Sequence, residues 1–139
     1  MGFKAEGNSE GYRDLSVPGY KKMVEQVVQA YPNLQVIGTT LREVKTGLLN
    51  HWGAIIYHEG EFYQSRRYEN LEIEDRVGGG DGFSSGLAYG FLAGLPPQEI
   101  VEFAAAHGAL LQSTRGDTSQ VSLEEVTHVM RGGSARIKR

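Results

Sequence analysis

The sequence predicts a single α/β domain that contains some antiparallel strand pairing. The chain has 139 residues, a length that suits one domain. The predicted elements run in the order helix, strand, hairpin, strand and then several helices. Breaks between these elements fall at proline, asparagine and glycine residues, which punctuate secondary structure. This alternation of helices and strands is the pattern of a sheet covered by helices.

Composition excludes several classes of protein. The formal net charge is −3, which argues against a general nucleic-acid binder or a protein that binds anionic membranes. There is no cysteine, so disulfides and thiolate metal sites are excluded. No apolar run approaches the length of a bilayer span, and no signal peptide is visible, so we expect a cytoplasmic protein without nucleic-acid or membrane partners.

The first predicted elements follow from apolar periodicity. A helix is predicted over Pro18–Ala30, where apolar residues recur on one face. Leu34–Thr39 is predicted to be a short buried strand. Trp52–Tyr57 and Glu61–Gln64 flank a His-Glu-Gly signature at residues 58–60, which indicates a hairpin.

The remaining elements are a strand and three helices. Leu71 and Ile73 alternate with glutamates, which predicts a strand that leads into a run of glycines. Phe83–Leu92 is predicted to be a helix rich in small residues, and Gln98–Leu111 a helix with an alanine face. A capping box in the SLEE segment at residues 122–125 predicts a short last helix. Residues 1–17 are predicted to be a loop, and residues 132–139 a frayed basic tail.

The glycine run carries the main chemical signal of the sequence. Residues 75–86 read DRVGGGDGFSSG and lie between a predicted strand and a predicted helix. The backbone N–H groups of Gly78, Gly79, Gly80 and Asp81 could bind a phosphate there, because the first amides of a helix have no partner within it. Asp81 would then be a base that accepts a proton from an attacking hydroxyl group. The alternative is a flexible turn in which Asp81 only caps the helix.

The same stretch resembles the C-terminal signature of the ribokinase-like (PfkB) carbohydrate kinases, approximately D-[TR]-x-G-[AG]-G-D-x-F-x-x-G. The matching residues are Asp75, Gly78, Gly80, Asp81, Phe83 and Gly86. Residues 36–42, VIGTTLR, are similar to the family's strand beside the nucleotide, and residues 103–116 to its helix and loop near the adenine. The TLR and DRVGGGD variants are most similar to the 2-keto-3-deoxygluconate kinases. The resemblance implies the C-terminal part of a three-layer α/β/α fold, with a mixed sheet and a β-hairpin.

The resemblance also implies an activity, which is transfer of a phosphoryl group from ATP to a sugar acid such as 2-keto-3-deoxygluconate. It implies Asp81 as the base and Gly78–Gly80 as the anion hole. Thr40 and Arg42 fall where the family contacts the nucleotide. The other implied positions are Ala104 and His107 near the adenine, and Asp75, with the loop around Arg115, at a monovalent cation such as K⁺. Mg²⁺ would be carried by the ATP phosphates.

Two departures from the family limit this interpretation. None of the four asparagines is followed by glutamate three residues later, so the family's N-x-x-E motif is absent. Essentially all of residues 1–139 match only the C-terminal part of the family, which predicts a single partial domain. Its expected partners, besides ATP and a small sugar acid, are a missing N-terminal half or a second copy that pairs with the open edge of Leu34–Thr39.

Two other classes of function remain open. The chain could be a non-catalytic ATP-binding or structural fragment from a truncated or split gene. A pure interaction module has only the basic tail in its favour. The four histidines have no metal-ligand spacing, so no metal site is predicted from them.

Overall fold

The computed structural model describes residues 2–5, 17–116 and 118–135. These residues form four helices and four strands in the predicted order. The elements are α1 (Val17–Ala30), β1 (Val36–Val44), β2 (Leu49–His58), β3 (Glu61–Gln64), β4 (Tyr68–Glu72), α2 (Gly79–Leu92), α3 (Pro97–Gln112) and α4 (Leu123–Met130). Most of the predicted N-terminal loop and the end of the predicted basic tail lie outside the described residues. No helix in the described ranges has the length and apolar character that crossing a membrane requires.

The four strands form one sheet around β2, and every described pairing is antiparallel. β1 pairs with β2 along its whole length, while β3 and β4 share the other edge of β2. The turn from β2 to β3 has positive φ angles at Glu59 (49°) and Gly60 (86°), the geometry of a type I′ hairpin turn. The predicted hairpin is therefore confirmed.

The predicted boundaries of the first two strands are wrong. The strand predicted over Leu34–Thr39 begins at Val36, continues to Val44 and is only partly buried. β2 begins at Leu49 instead of Trp52. The prediction ended each strand where its apolar run ended, but pairing continues through polar residues because the register joins all nine residues of β1 to β2.

Helices cover both faces of the sheet. Trp52, Ala54 and Ile56 of β2 face α2 and α3 and belong to the main apolar core. α1 lies on the opposite face, where the Lys21 ammonium is 5.4 Å from the centre of the Phe62 ring. α4 packs on α3 and closes the core with its buried Val126 and Val129. The α/β class predicted from the sequence is confirmed.

Helices α2 and α3 pack unusually close together because α2 presents glycines to α3. A methyl group at Gly86 would lie 2.7 Å from the Cα of Ala104. One at Gly90 would lie 3.0 Å from the side chain of Ile100. The predicted alanine face of α3 is confirmed and provides the matching smooth surface, since Ala104, Ala105, Ala106 and Ala109 are fully buried.

This contact predicts the effect of a single added methyl group. Gly86→Ala should lower the free energy of unfolding by about 1–3 kcal/mol, because the methyl group meets backbone that cannot rotate away. Alanine's higher helix propensity offsets only part of this cost. Urea unfolding followed by circular dichroism measures the change.

Gly80→Ala is the matched control in the same helix, because a methyl group there would meet no atom within 4 Å. It should leave stability within about 0.5 kcal/mol of the wild type or raise it. Equal stability of the Gly86→Ala and Gly80→Ala variants would contradict the close packing of the two helices.

Candidate functional site

The glycine run forms a tight turn between β4 and α2. Gly78 occupies the N-cap position with φ 88°, a left-handed conformation that glycine adopts without strain. The N–H of Gly82 donates to the carbonyl of Gly78 at 2.7 Å. α2 therefore begins at Gly79, four residues before the predicted Phe83, and Asp81 lies inside its first turn. The alternative interpretation of Asp81 as the N-cap is wrong, since glycine holds that position.

This turn presents open backbone amides. The N–H groups of Gly79, Gly80 and Asp81 precede the first carbonyl partner available within the helix and carry partial positive charge. Gly80 and Asp81 are exposed, and no atom occupies the space where a side chain of Gly80 would be. The exposed Asp81 carboxylate makes no hydrogen bond or ion pair with the described residues. The arrangement can receive an anion beside an unengaged carboxylate.

The segment before the glycines is held by the turn between β1 and β2. The N–H of Ile73 donates to the carbonyl of Leu48 at 2.8 Å. The Nη2 of Arg76 donates to the carbonyl of Gly47 at 2.8 Å and reaches that of Thr46 at 3.4 Å. Arg76 therefore fixes the approach of the chain to the glycine turn.

Asp75 connects the same segment to the loop after α3. Its carboxylate accepts the N–H of Val77 at 3.1 Å and the N–H of Gly116 at 3.2 Å. These backbone amides, with Val77 the largest contributor, lower the pKa of Asp75 below its ordinary value. The neighbouring Arg115 Nε donates to the Glu74 carboxylate at 2.6 Å and adds a second link between the two loops.

The structure places Thr40 and Arg42 beside the first turn of α2. Gly38 of β1 packs on α2, since a methyl group there would meet Leu87 and Phe83 at 2.7 and 3.1 Å. Thr40 and Arg42 follow on the same face of the strand, and Arg42 pairs with Trp52, whose indole lies near Gly108 together with the carbonyl of Gly79 at the start of α2. The guanidinium of Arg42 makes no hydrogen bond or ion pair with the described part of the chain. A cation without a partner near open amides adds to the positive character of the site.

His107 lies on the other side of the same turn. Its Nδ1 is 3.3 Å from the Ser85 hydroxyl, and its Nε2 is 2.8 Å from the Ser119 hydroxyl. The Ser85 hydroxyl donates to the carbonyl of Gly82, which leaves its oxygen to accept from Nδ1–H. This pattern suits a neutral imidazole that carries its proton on Nδ1. Desolvation lowers the pKa of His107 below its ordinary value.

Ala104 is the one predicted site residue that the structure sets apart from the others. It is fully buried against Gly86 in the contact between α2 and α3, so its side chain has no surface for a nucleotide. Among the described residues, no group of three or more histidines, aspartates and glutamates is placed to hold a metal ion. The monovalent cation at Asp75 stays a prediction.

Sequence reasoning missed three residues beneath the turn. Gln112 of α3 accepts the N–H of Glu74 at 2.9 Å on its carbonyl, and its side chain packs on Gly79. A methyl group at Gly108 would meet both the carbonyl of Gly79 and the indole of Trp52. The available signal was Gly108 itself, because an isolated glycine inside a helix often has a packing reason.

A glycine turn that joins a sheet to a helix, with open amides and an aspartate in its first turn, defines a candidate phosphate-binding protein of the α/β class. The sequence profile described as pfkB family carbohydrate kinase matches residues 15–124. The chain belongs to this family, which confirms the resemblance drawn from the glycine signature.

Individual relatives agree with this assignment. The chain is 34% identical over 87 residues to a 2-dehydro-3-deoxygalactonokinase of Haloferax volcanii, a match that covers 63% of this chain and 27% of that protein. The crystal structure of 2-dehydro-3-deoxygluconokinase from Thermotoga maritima superposes with a TM-score of 0.80 at 37% identity. That match covers 88% of this chain and 36% of the other.

A putative 2-keto-3-deoxygluconate kinase from Enterococcus faecalis is similar with a TM-score of 0.73 and 25% identity. It covers 94% of this chain and 36% of the other. The chain thus spans about a third of the length of the solved relatives, and the similarity to the ketodeoxygluconate kinase branch confirms the comparison made from the TLR and DRVGGGD segments.

The depressed pKa of His107 predicts how stability depends on pH. The pKa of this histidine is lower in the folded state than its unfolded pKa of 6.5. Its contribution to stability is therefore fully present above pH 6.5 and is lost as the pH falls from 6.5 toward the folded pKa. His107→Gln should therefore reduce the fall in melting temperature as the pH is lowered through 6.5. Thermal unfolding monitored across this range measures it.

The wild-type chain, measured in the same buffers, is the reference for this slope. A slope that is the same in wild type and His107→Gln would show that the half-buried imidazole does not couple to folding.

Proposed function

We propose that the chain is the nucleotide-binding and phosphoryl-transfer part of an ATP-dependent sugar kinase. The observation that carries the proposal is the turn Gly78–Asp81, in which open amides and an unengaged carboxylate lie together at the start of α2. Both features are what transfer of a phosphoryl group to a hydroxyl group needs.

The amides of the turn act on the transferring phosphoryl group. Negative charge spreads over its oxygens in the transition state, and N–H groups fixed at a helix end stabilise that charge without having to reorient. Gly80 lets the oxygens approach the backbone, since a side chain there would occupy the open space in front of the turn.

Asp81 is the proposed base. It lies one residue after Gly80, so its carboxylate is carried on the same rigid turn as the amides that hold the phosphoryl group. A sugar hydroxyl placed between them would donate its proton to Asp81 as its oxygen attacks phosphorus, and the carboxylate orients that hydroxyl in line with the leaving ADP.

The nucleotide would lie along the sides of the turn. Thr40 and Arg42 supply a hydroxyl and a guanidinium on the sheet side, and His107 borders the opposite side. A guanidinium that makes no hydrogen bond or ion pair with the described residues is suited to phosphate oxygens. Mg²⁺ would be held by the ATP phosphates, where it neutralises their charge, and Asp75 is the proposed position for a monovalent cation such as K⁺.

The proposed acceptor is a sugar acid of the 2-keto-3-deoxygluconate type. The support is the similarity to proteins named as 2-dehydro-3-deoxygluconokinase and 2-dehydro-3-deoxygalactonokinase. Because the chain spans about a third of the solved relatives, we propose that sugar contacts come from a further polypeptide segment. In its absence β1, which pairs only with β2 among the described strands, offers an edge for self-association.

Nucleotide binding gives the first test of this function. Titration of the chain with ADP should shift the amide resonances of Gly79, Gly80 and Asp81 at millimolar ADP, and sulfate should compete because it uses the same N–H groups. Arg42→Gln should weaken binding of ADP about tenfold, by loss of one charged contact.

The matched control is Arg67→Gln. The Arg67 guanidinium binds the Glu43 carboxylate at a distance of 2.7 Å and does not belong to the glycine turn. It should leave the affinity for ADP unchanged. An ADP titration that moves none of the three turn amides would remove the nucleotide site from this chain.

The chemistry gives the second test. Asp81→Asn keeps the size of the side chain and removes the proton acceptor, so kcat should fall on the order of 10²–10⁴-fold. The affinity for ATP should change little. For this assay the chain is fused to the remaining part of a relative. The measurement follows the sugar-dependent formation of ADP.

Glu99→Gln, an exposed acid in the first turn of α3, is the control for loss of one negative charge at a helix start. It should keep wild-type kcat. Full kcat in the Asp81→Asn variant would exclude Asp81 as the base, and ADP binding without any sugar-dependent turnover would favour the alternative of a non-catalytic ATP-binding protein.

A further inference from the structure

The carbonyl of Gly79 lies directly on α3. A methyl group at Gly108 would be 2.8 Å from the oxygen of Gly79 and 2.7 Å from Cζ2 of the Trp52 indole. Gly108 is thus confined between the first turn of α2 on one side and the Trp52 indole of the sheet on the other. No other residue type fits this position without movement of one of the two neighbours.

Trp52 cannot easily move away. It is only 4% exposed, and its Nε1–H donates to the carbonyl of Ala105 on α3 at 2.9 Å. Gln112 closes the remaining side: its Nε2 donates to the carbonyl of Gly108 at 3.1 Å, and its side chain would lie 2.8 Å from a methyl group at Gly79. An added group at Gly108 would therefore displace the carbonyl of Gly79.

Displacement of this carbonyl has a defined consequence for the site. The carbonyl of Gly79 and the N–H of Gly80 belong to the same planar peptide unit, so a rotation that moves one reorients the other. The N–H of Gly80 is an exposed donor of the turn. The height of the Gly79 carbonyl above α3 thus sets the direction in which this donor points.

We propose that Gly108, supported by Trp52, is a positioning residue for the anion-binding turn. It acts through the peptide unit between Gly79 and Gly80 and touches no ligand itself. The significance of this role rests on the proposed phosphate site, but the positional effect exists in the ligand-free protein and can be measured there.

The test compares Gly108→Ala with Gly86→Ala, which adds a methyl group of equal tightness to the same helix pair, 2.7 Å from the Cα of Ala104 and farther along α2. Amide resonances of the ligand-free full chain are recorded for both variants. Gly108→Ala should move the resonances of Gly80 and Asp81 strongly, whereas Gly86→Ala, which strains α2 farther from its first turn, should move them much less. Unmoved resonances of Gly80 and Asp81 in Gly108→Ala, or equal shifts in both variants, overturn the proposal.

Inorganic phosphate tests whether the reoriented Gly80 N–H weakens anion binding at the turn. Gly108→Ala should bind it about tenfold more weakly than Gly86→Ala does, at a temperature at which both variants are folded. A wild-type chain that binds no phosphate at the turn would contradict the proposed function, while the ligand-free comparison would still decide the role of Gly108.

Trp52→Phe provides a second route if Gly108→Ala does not fold. The smaller ring lacks the atom that lies against Gly108 and the donor to Ala105, so α3 loses its support beneath the turn. The Gly80 resonance should shift in this variant as well. In the double variant Trp52→Phe with Gly108→Ala, the space left by the indole accommodates the added methyl group. The Gly80 resonance should therefore return part of the way to its wild-type position. Wild-type resonances of Gly80 and Asp81 in Trp52→Phe overturn the proposal.

Discussion

The close contact between α2 and α3 is the constraint on which the rest of the site depends. Glycine on α2 meets small residues on α3, and a methyl group at Gly86 would approach the Cα of Ala104 to 2.7 Å. Two helices this close fix each other's axial position, because neither can slide without a collision of backbone. Contacts along the length of α2 therefore fix the position of its N-terminus, and with it the positions of the Gly79 and Gly80 amides.

The turn is held at its other end by polar contacts. Arg76 binds the carbonyl of Gly47, and the carboxylate of Asp75 receives the amide of Gly116. These contacts come from two separate loops, so the glycines are flanked by fixed points although they are themselves the most permissive residues of the chain. Amides fixed in this way can bind charge without a reorganisation cost at the moment of binding.

The sequence was sufficient to predict the hairpin, the capping box at Ser122 and the glycine turn, because each depends on local chemistry that few residues provide. It was insufficient for the length of β1 and the start of α2, which are decided by pairing and packing with distant residues. Gly108 shows the limit most clearly. Its role follows from an indole 56 positions earlier in the chain and a carbonyl 29 positions earlier, a juxtaposition that no local pattern encodes.

The identity of the N-cap residue explains how one short turn can hold both an anion site and a base. The carboxylate of an aspartate at the N-cap would accept hydrogen bonds from the first amides of the helix, which would leave fewer donors for a phosphate. Gly78 takes the N-cap by its left-handed backbone and without a side chain, so the amides stay open. Asp81 is then displaced into the first turn, where its exposed carboxylate has no partner among the described residues. Two groups of like charge, a phosphate and a carboxylate, can share this turn because the partial positive charge of the helix end lies between them.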